Sequence, residues 1–180
     1  MFDAETDTLF CAPVTALPHI KGDRVDLRLA EAARALRAAG VGVAGVAQHT
    51  RPGQAECCAE FYLEDLATGA LHEISQRLGR DARGCRLDHG TLAEAYAGVE
   101  RSLRAGAGAL ILNRFGYSEA KGGGLRPLIE IAVSEAIPVL ISVNETYRPE
   151  WHAFCGDFAR DIAGCREDIQ TWVRGVQGAQ

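Results

Sequence analysis

The sequence predicts an α/β fold: a single domain over residues 1–180, built on a mostly parallel, doubly wound sheet in three layers. Three observations carry this reading. Short apolar runs alternate with stretches of helical periodicity along the chain. Runs such as Ala109–Asn113 and Ile137–Val143 lack polar alternation, as strands covered on both faces do. The composition is that of a chain with a real core: 180 residues, 47% hydrophobic and 24% charged.

The elements follow in order. Thr8–Val14 reads as a first strand, weakened by Pro13, and Thr15–Arg24 as a loop. Val25, Leu29, Ala32 and Leu36 recur at helical spacing and predict a helix over Val25–Ala39, with Asp23 as its cap and Gly40 as its stop. Val41–Ala47 is a buried strand with two glycines. Cys57–Leu63 and Leu71–Gln76 pair as a β-hairpin excursion closed by Glu64–Ala70, where Thr68-Gly69 makes the turn. Gly79–Gly90 is a loop. Thr91–Glu94 fits a capping box, and Leu92, Tyr96, Val99 and Leu103 form the stripe of the helix behind it. Ala109–Asn113 is the central strand. Arg114–Gly124 is a loop ending in three glycines. A helix spans Leu125–Ala136, with Pro127 in its first turn. Ile137–Val143 is a further strand, and Pro149–Phe154 and Phe158–Val176 read as helices. Four parallel strands result.

Charge and composition exclude several functions. The net charge is -5, and no Lys/Arg run interleaves with aromatics, which argues against nucleic-acid coating. No apolar run approaches the roughly 20 residues a bilayer needs. Met1–Glu5 lacks the basic region of a secretory signal, so a cytoplasmic location is expected. The six cysteines form no C-x-x-C pair, so the expected metal is none and the thiols read as reduced, partly buried groups. A thiolate metal or redox site joining Cys85 to Cys57, Cys58 or Cys11 is the alternative. Only two of the 19 basic residues are lysines, Lys21 and Lys121, and each precedes a glycine.

In a doubly wound sheet ligands gather at the carboxyl ends of strands. That places Thr15–Lys21, Gln48-His49, Asn113-Arg114 and Asn144-Glu145 near a site. The strongest local signal is Asn113–Arg126. A strand ends, a polar loop follows, and Gly122, Gly123 and Gly124 open a helix whose free amides favour anions. Arg114, Lys121 and Arg126 add cationic groups suited to oxyanions. Glu119 is a candidate acid or base. In Cys85-Arg86-Leu87-Asp88, Asp88 is either a helix cap or a catalytic acid, and Arg86 either pairs with it or binds an anion. The first strand-to-helix loop, Ala12–Asp23, lacks the G-x-x-x-x-G-K-[ST] pattern, since its glycine bed is missing and Gly22 follows Lys21. A working Walker A is absent. Lys21 remains a candidate ligand contact, and Gln48 a candidate orienting group.

At these motifs the chain resembles an uncharacterised bacterial family, a domain of unknown function regarded as related to P-loop nucleoside-triphosphatases. Genes of that family often lie near molybdate-uptake or nitrogenase genes. The matching residues are Ala38–Val41 leading to Ala44–Gln48, Asp65–Gly69, Cys85–Asp88, Asn113–Gly116 with Glu119 and Gly122–Gly124, and Ile137–Leu140. Arg114 stands where the family usually has lysine. The resemblance implies a P-loop-NTPase-like scaffold. Asn113 occupies the strand end where such enzymes carry an acid.

The expected function is binding of a small anionic ligand, a nucleotide phosphate or a molybdate-type oxyanion, without efficient hydrolysis. The ligand set is Lys21, Gln48, Arg86, Asn113, Arg114, Lys121, the glycine amides and Arg126. The alternatives are a divergent nucleoside-triphosphatase or phosphotransferase using Asp88 and Glu119, the thiolate site, and a regulatory partner-binding protein. A homodimer is left open, and the motifs specify no cofactor.

Overall fold

The computed structural model describes residues 13–51, 60–75 and 87–179. Seven strands form a single sheet: β1 Val14–His19, β2 Val43–Arg51, β3 Glu60–Asp65, β4 Leu71–Glu73, β5 Ala109–Phe115, β6 Val139–Asn144 and β7 Ala159–Asp161. Their spatial order is β4-β3-β2-β5-β6-β1-β7. Five strands, β2, β5, β6, β1 and β7, are parallel, and β3 and β4 extend the sheet antiparallel beyond β2. The helices are α1 Val25–Ala38, α2 His89–Arg104, α3 Tyr117–Ala120, α4 Arg126–Ser134, α5 Arg148–Cys155 and α6 Arg166–Gly178.

Two cores make the three layers. Leu29, Ala33 and Leu36 of α1 and Trp172, Val173 and Val176 of α6 cover one face of the sheet, through Leu17, Ala109, Ile111 and Leu140. Val99 and Leu103 of α2, Ile129 of α4 and Trp151 of α5 cover the other, through Val14, Leu110, Leu112 and Ile141. The split follows from handedness. The crossover from β1 leads back across β6 and β5 to β2. The later crossovers lead the opposite way, and right-handed connections running in opposite directions lie on opposite faces. β1 and β6 are therefore neighbours whose chains depart to opposite sides. Their carboxyl ends frame the crevice of the fold.

The first strand differs from the sequence expectation. It runs Val14–His19, through a stretch read as loop, and Pro18 lies inside it. β7 pairs only with Val14–Ala16, and the carbonyl of Ala16 points toward it. The missing donor of Pro18 therefore falls on that same side, past the end of β7, where no ladder bond is lost. The strand expected from Thr8 lies mostly outside the described residues. β7 falls within the stretch expected as a helix over Phe158–Val176, and Ala159-Arg160-Asp161 is a three-residue edge strand with no apolar run. The long final helix accordingly divides into β7 and α6.

The hairpin is close to the expectation over its described part. Asp65 N donates to the Ala70 carbonyl, the Asp65 side chain accepts from Ala67 and Thr68, and Gly69 takes φ +75°. β2 continues to Arg51 and pairs with β3 over six residues, so the hairpin extends the main sheet. One glycine in β2 is fixed by the sheet itself. A Cβ on Gly45 would sit 1.8 Å from the Ile111 carbonyl oxygen of β5.

Candidate functional site

Three adjacent strands, β5, β6 and β1, end beneath the first turn of α1. Side-chain alternation sends His19, Ser142 and Asn113 to the α1 face, with Leu17, Leu140 and Ile111 of the same strands. All three are buried, at 4%, 0% and 4% exposure. Each carries a polar atom without a hydrogen-bond partner: His19 Nε2, Ser142 Oγ and Asn113 Oδ1. Arg114 Nε is a fourth such atom. Buried polar atoms are rarely left unsatisfied. Four such atoms lie at the carboxyl ends of adjacent strands, and a fifth among the described residues, Trp151 Nε1, lies on the other side of the sheet.

The roof is the turn from β1 into α1. Asp23 N donates to the Ile20 carbonyl, and its carboxylate accepts from Ile20 N at 3.0 Å. Gly22 takes φ +104°. Asp23 thus closes this turn and is not the expected helix cap; the cap position is Arg24, and no side chain caps α1. Lys21 is exposed on the turn. At the second residue of α1, the Asp26 carboxylate accepts from Asn113 Nδ2 on one oxygen and from Arg114 at 3.4 Å on the other. The Asn113–Arg114 peptide is cis, and the β5–β6 register shifts between Leu112 and Phe115. Arg114 meets Asp26 and so lies on the α1 side with Asn113, while Phe115 returns to the opposite core.

The glycine loop is arranged differently from the sequence expectation. Gly122 N donates to the Glu119 carbonyl and Gly123 N to the Ser118 carbonyl. Glu119 is 5% exposed, and its carboxylate accepts from Gly116 N and Leu125 N, both at 3.0 Å. The loop encloses the protein's own carboxylate. Gly124, at φ +61°, is a glycine because a Cβ would sit 1.9 Å from Glu119 Oε1. Arg126 donates to the Glu119 carbonyl at 2.6 Å and stacks 4.4 Å over the Phe154 ring. Lys121 lies 5.9 Å over the exposed Tyr117 ring. The reading of Gly122 and Gly123 as an open amide bed is corrected: their donors are spent on turn carbonyls. Arg114, Lys121 and Arg126 do not converge, because Arg114 turns to the α1 face and Arg126 into the other core.

The remaining candidates separate as well. Gln48 alternates onto the face of Ala44 and Val46, opposite to Asn113. His49 bonds Glu64 of β3 at 2.7 Å. Asp88 caps α2, accepting from Gly90 N and Thr91 N at 2.9 and 3.0 Å, so that helix starts at His89 and not at the Thr91–Glu94 box. Arg86 and Cys85 lie outside the described residues, as do Cys11, Cys57 and Cys58. Burial, with the Glu119 charge behind it, pushes the Tyr96 hydroxyl well above its usual range. Burial pushes the Cys155 thiol up to about 12 against the opposing charge of Arg126. Among the described residues no group of three or more His, Cys, Asp or Glu is placed to hold a metal ion. No described helix is long and apolar enough to cross a membrane.

Of the candidates in the sequence, Asn113 and Arg114 lie in this cluster and Lys21 lies exposed on the turn beside it, while His19, Asp26 and Ser142 are not among the candidates. Nothing in their local patterns signals a site, although His19 lay within the stretch marked by strand ends. Ser142 sits inside an apolar strand and Asp26 inside a helical pattern.

The fold and the sequence are similar to those of known proteins. The solution structure of a human cancer-related nucleoside triphosphatase superposes with a TM-score of 0.62 over 92% of this chain and 98% of that one, at 15% identity, a likeness of fold. The molybdenum import ATP-binding protein ModC 2 of Bradyrhizobium diazoefficiens is 32% identical over 161 residues, which are 89% of this chain and 18% of that protein's length. A family model matches residues 14–172, and the chain belongs to that family, described as protein of unknown function (DUF2478).

Proposed function

We propose that this chain binds a small oxyanion, the phosphate of a nucleotide or a molybdate-type anion, at the crevice below α1, and that it does so without hydrolysis of the Walker A kind. The supporting observation is the set of unsatisfied buried atoms on His19, Ser142, Asn113 and Arg114. Arg114 Nε and Ser142 Oγ are donors aimed at an acceptor-rich ligand. His19 Nε2 accepts or donates with the state of the ring, whose Nδ1 faces the Ile20 carbonyl at 3.3 Å. The uncapped start of α1 and the exposed Lys21 add positive potential at the mouth. Asn113 Oδ1 is left to accept from a protonated ligand oxygen or a water.

Nucleotide and molybdate are the ligands suggested by the likeness to ModC 2, a molybdenum import ATP-binding protein, and to a nucleoside triphosphatase. Asp88 and Glu119 hold helix-start amides, so we assign them no catalytic step. Isothermal titration of the whole chain with ATP, GTP, molybdate, tungstate and sulfate tests the reading. Saturable binding of at least one, weakened about tenfold or more by Arg114→Ala, is expected. No heat with any of them sinks it.

A further inference from the structure

Two helix starts have a carboxylate of the chain beside them. At the glycine loop it is Glu119, sealed at 5% exposure between two amides. At α1 it is Asp26, and the circumstances differ. The Asp26 side chain is 31% exposed and that of Arg114 35%. Their contact is single and long, 3.4 Å, and it leaves Arg114 Nε without a partner. A guanidinium that bound its carboxylate through both Nε and an Nη would present the parallel fork that makes such pairs strong. This one does not. On the other side, Asn113 gives its amide hydrogen to Asp26 and leaves its oxygen unpaired.

We infer that Asp26 is an internal occupant of the anion seat: an incoming oxyanion takes Arg114 from it, so Asp26 sets how tightly the site binds and which ligands it accepts. This rests on the oxyanion reading above. Asp26 belongs to the uncapped first turn of α1, where an anion is favoured by the helix end. Its two partners, Asn113 and Arg114, each keep a buried polar atom, Oδ1 and Nε, without a partner. Beneath them lie His19 Nε2 and Ser142 Oγ, buried and unpaired, which Asp26 leaves unsatisfied. A ligand seated there meets the charge of Asp26 directly. A fixed negative charge at contact distance disfavours a second one, and more so the more charge the ligand carries. Asp26 therefore favours singly charged or protonated oxyanions over multiply charged ones, and a proton on the ligand would be shared with its carboxylate or with Asn113 Oδ1.

The experiment is titration of wild type, Asp26→Asn and Asp26→Ser with inorganic phosphate, sulfate, molybdate and ATP. Asparagine keeps the shape and removes the charge, and serine suits a first helical turn. Thermal melting confirms that each variant is folded. Both variants are expected to bind the dianions sulfate and molybdate about tenfold or more tighter than wild type, with a smaller gain for phosphate at a pH where it is mostly a monoanion. Binding by the variants alone, with none by wild type, overturns the oxyanion reading for the native chain and this inference with it. Equal or weaker binding by both variants, with wild type binding well, overturns it and makes Asp26 a positioning residue for Arg114, while the oxyanion reading stands. No binding by any of the three overturns both.

Discussion

Replacing Gly124 with alanine tests whether the glycine loop is shaped by Glu119. The new Cβ would lie 1.9 Å from Glu119 Oε1 and 2.6 Å from its Cδ, so the carboxylate has to move. Moving it breaks the bonds from Gly116 N and Leu125 N. Bonds to a charged group contribute roughly 1.5–3 kcal/mol each, and a left-handed backbone costs a non-glycine residue about 1–2 kcal/mol. Partial relaxation lowers the sum, so a loss of about 3–5 kcal/mol is expected. Against the roughly 5–15 kcal/mol that holds a domain together, this is a large fraction. It corresponds to a fall in Tm of on the order of 10 °C for a chain of this size. Urea unfolding monitored by tryptophan fluorescence measures it. A double-mutant cycle with Glu119→Ala isolates the clash, since in that background Gly124→Ala should cost only the backbone contribution. A loss below about 1 kcal/mol in the wild-type background, or the same loss with and without Glu119, would refute the reasoning.

Further outcomes follow from the same geometry. Lys21→Ala should weaken oxyanion binding severalfold in titration, while Lys121→Ala, whose amine lies over Tyr117, should leave it unchanged. Asp88→Ala should cost about 1 kcal/mol of stability through the lost α2 cap and leave ligand affinity as it was. Cys155 has its folded-state pKa raised from about 9 to about 12. Below pH 9 both states hold the proton. Between pH 9 and 12 only the unfolded state releases it, so stability falls as pH rises through this window. In Cys155→Ala, urea unfolding at stepped pH should show a shallower alkaline decline, the remainder including the similarly raised Tyr96 hydroxyl.

Much of the architecture is legible in local pattern. Ala109–Asn113 and Ile137–Val143 announce strands because burial on both faces admits only apolar side chains. Leu92, Tyr96, Val99 and Leu103 announce α2 because one stripe of the helix faces the core. The exceptions have local causes too. Pro18 hides β1, since whether a proline breaks a strand depends on which neighbour its nitrogen faces. Ala159–Asp161 hides β7, since a short edge strand needs no apolar run.

The sequence by itself determined the class of fold, and it pointed to the strand ends and to Lys21, Asn113 and Arg114 as candidates. It also determined that the first loop lacks a phosphate-binding glycine bed. Only the tertiary structure decided which charges meet. Asp26 and Asn113 are 87 positions apart and come together because the crossover from β1 carries α1 over β5 and β6. Arg114 and Arg126 are close in sequence and part because a register shift and a turn send them to opposite faces of the sheet. Spacing along the chain reports what one element presents to its own neighbours. Which carboxylate meets which donor depends on contacts between distant elements, and no local pattern records them.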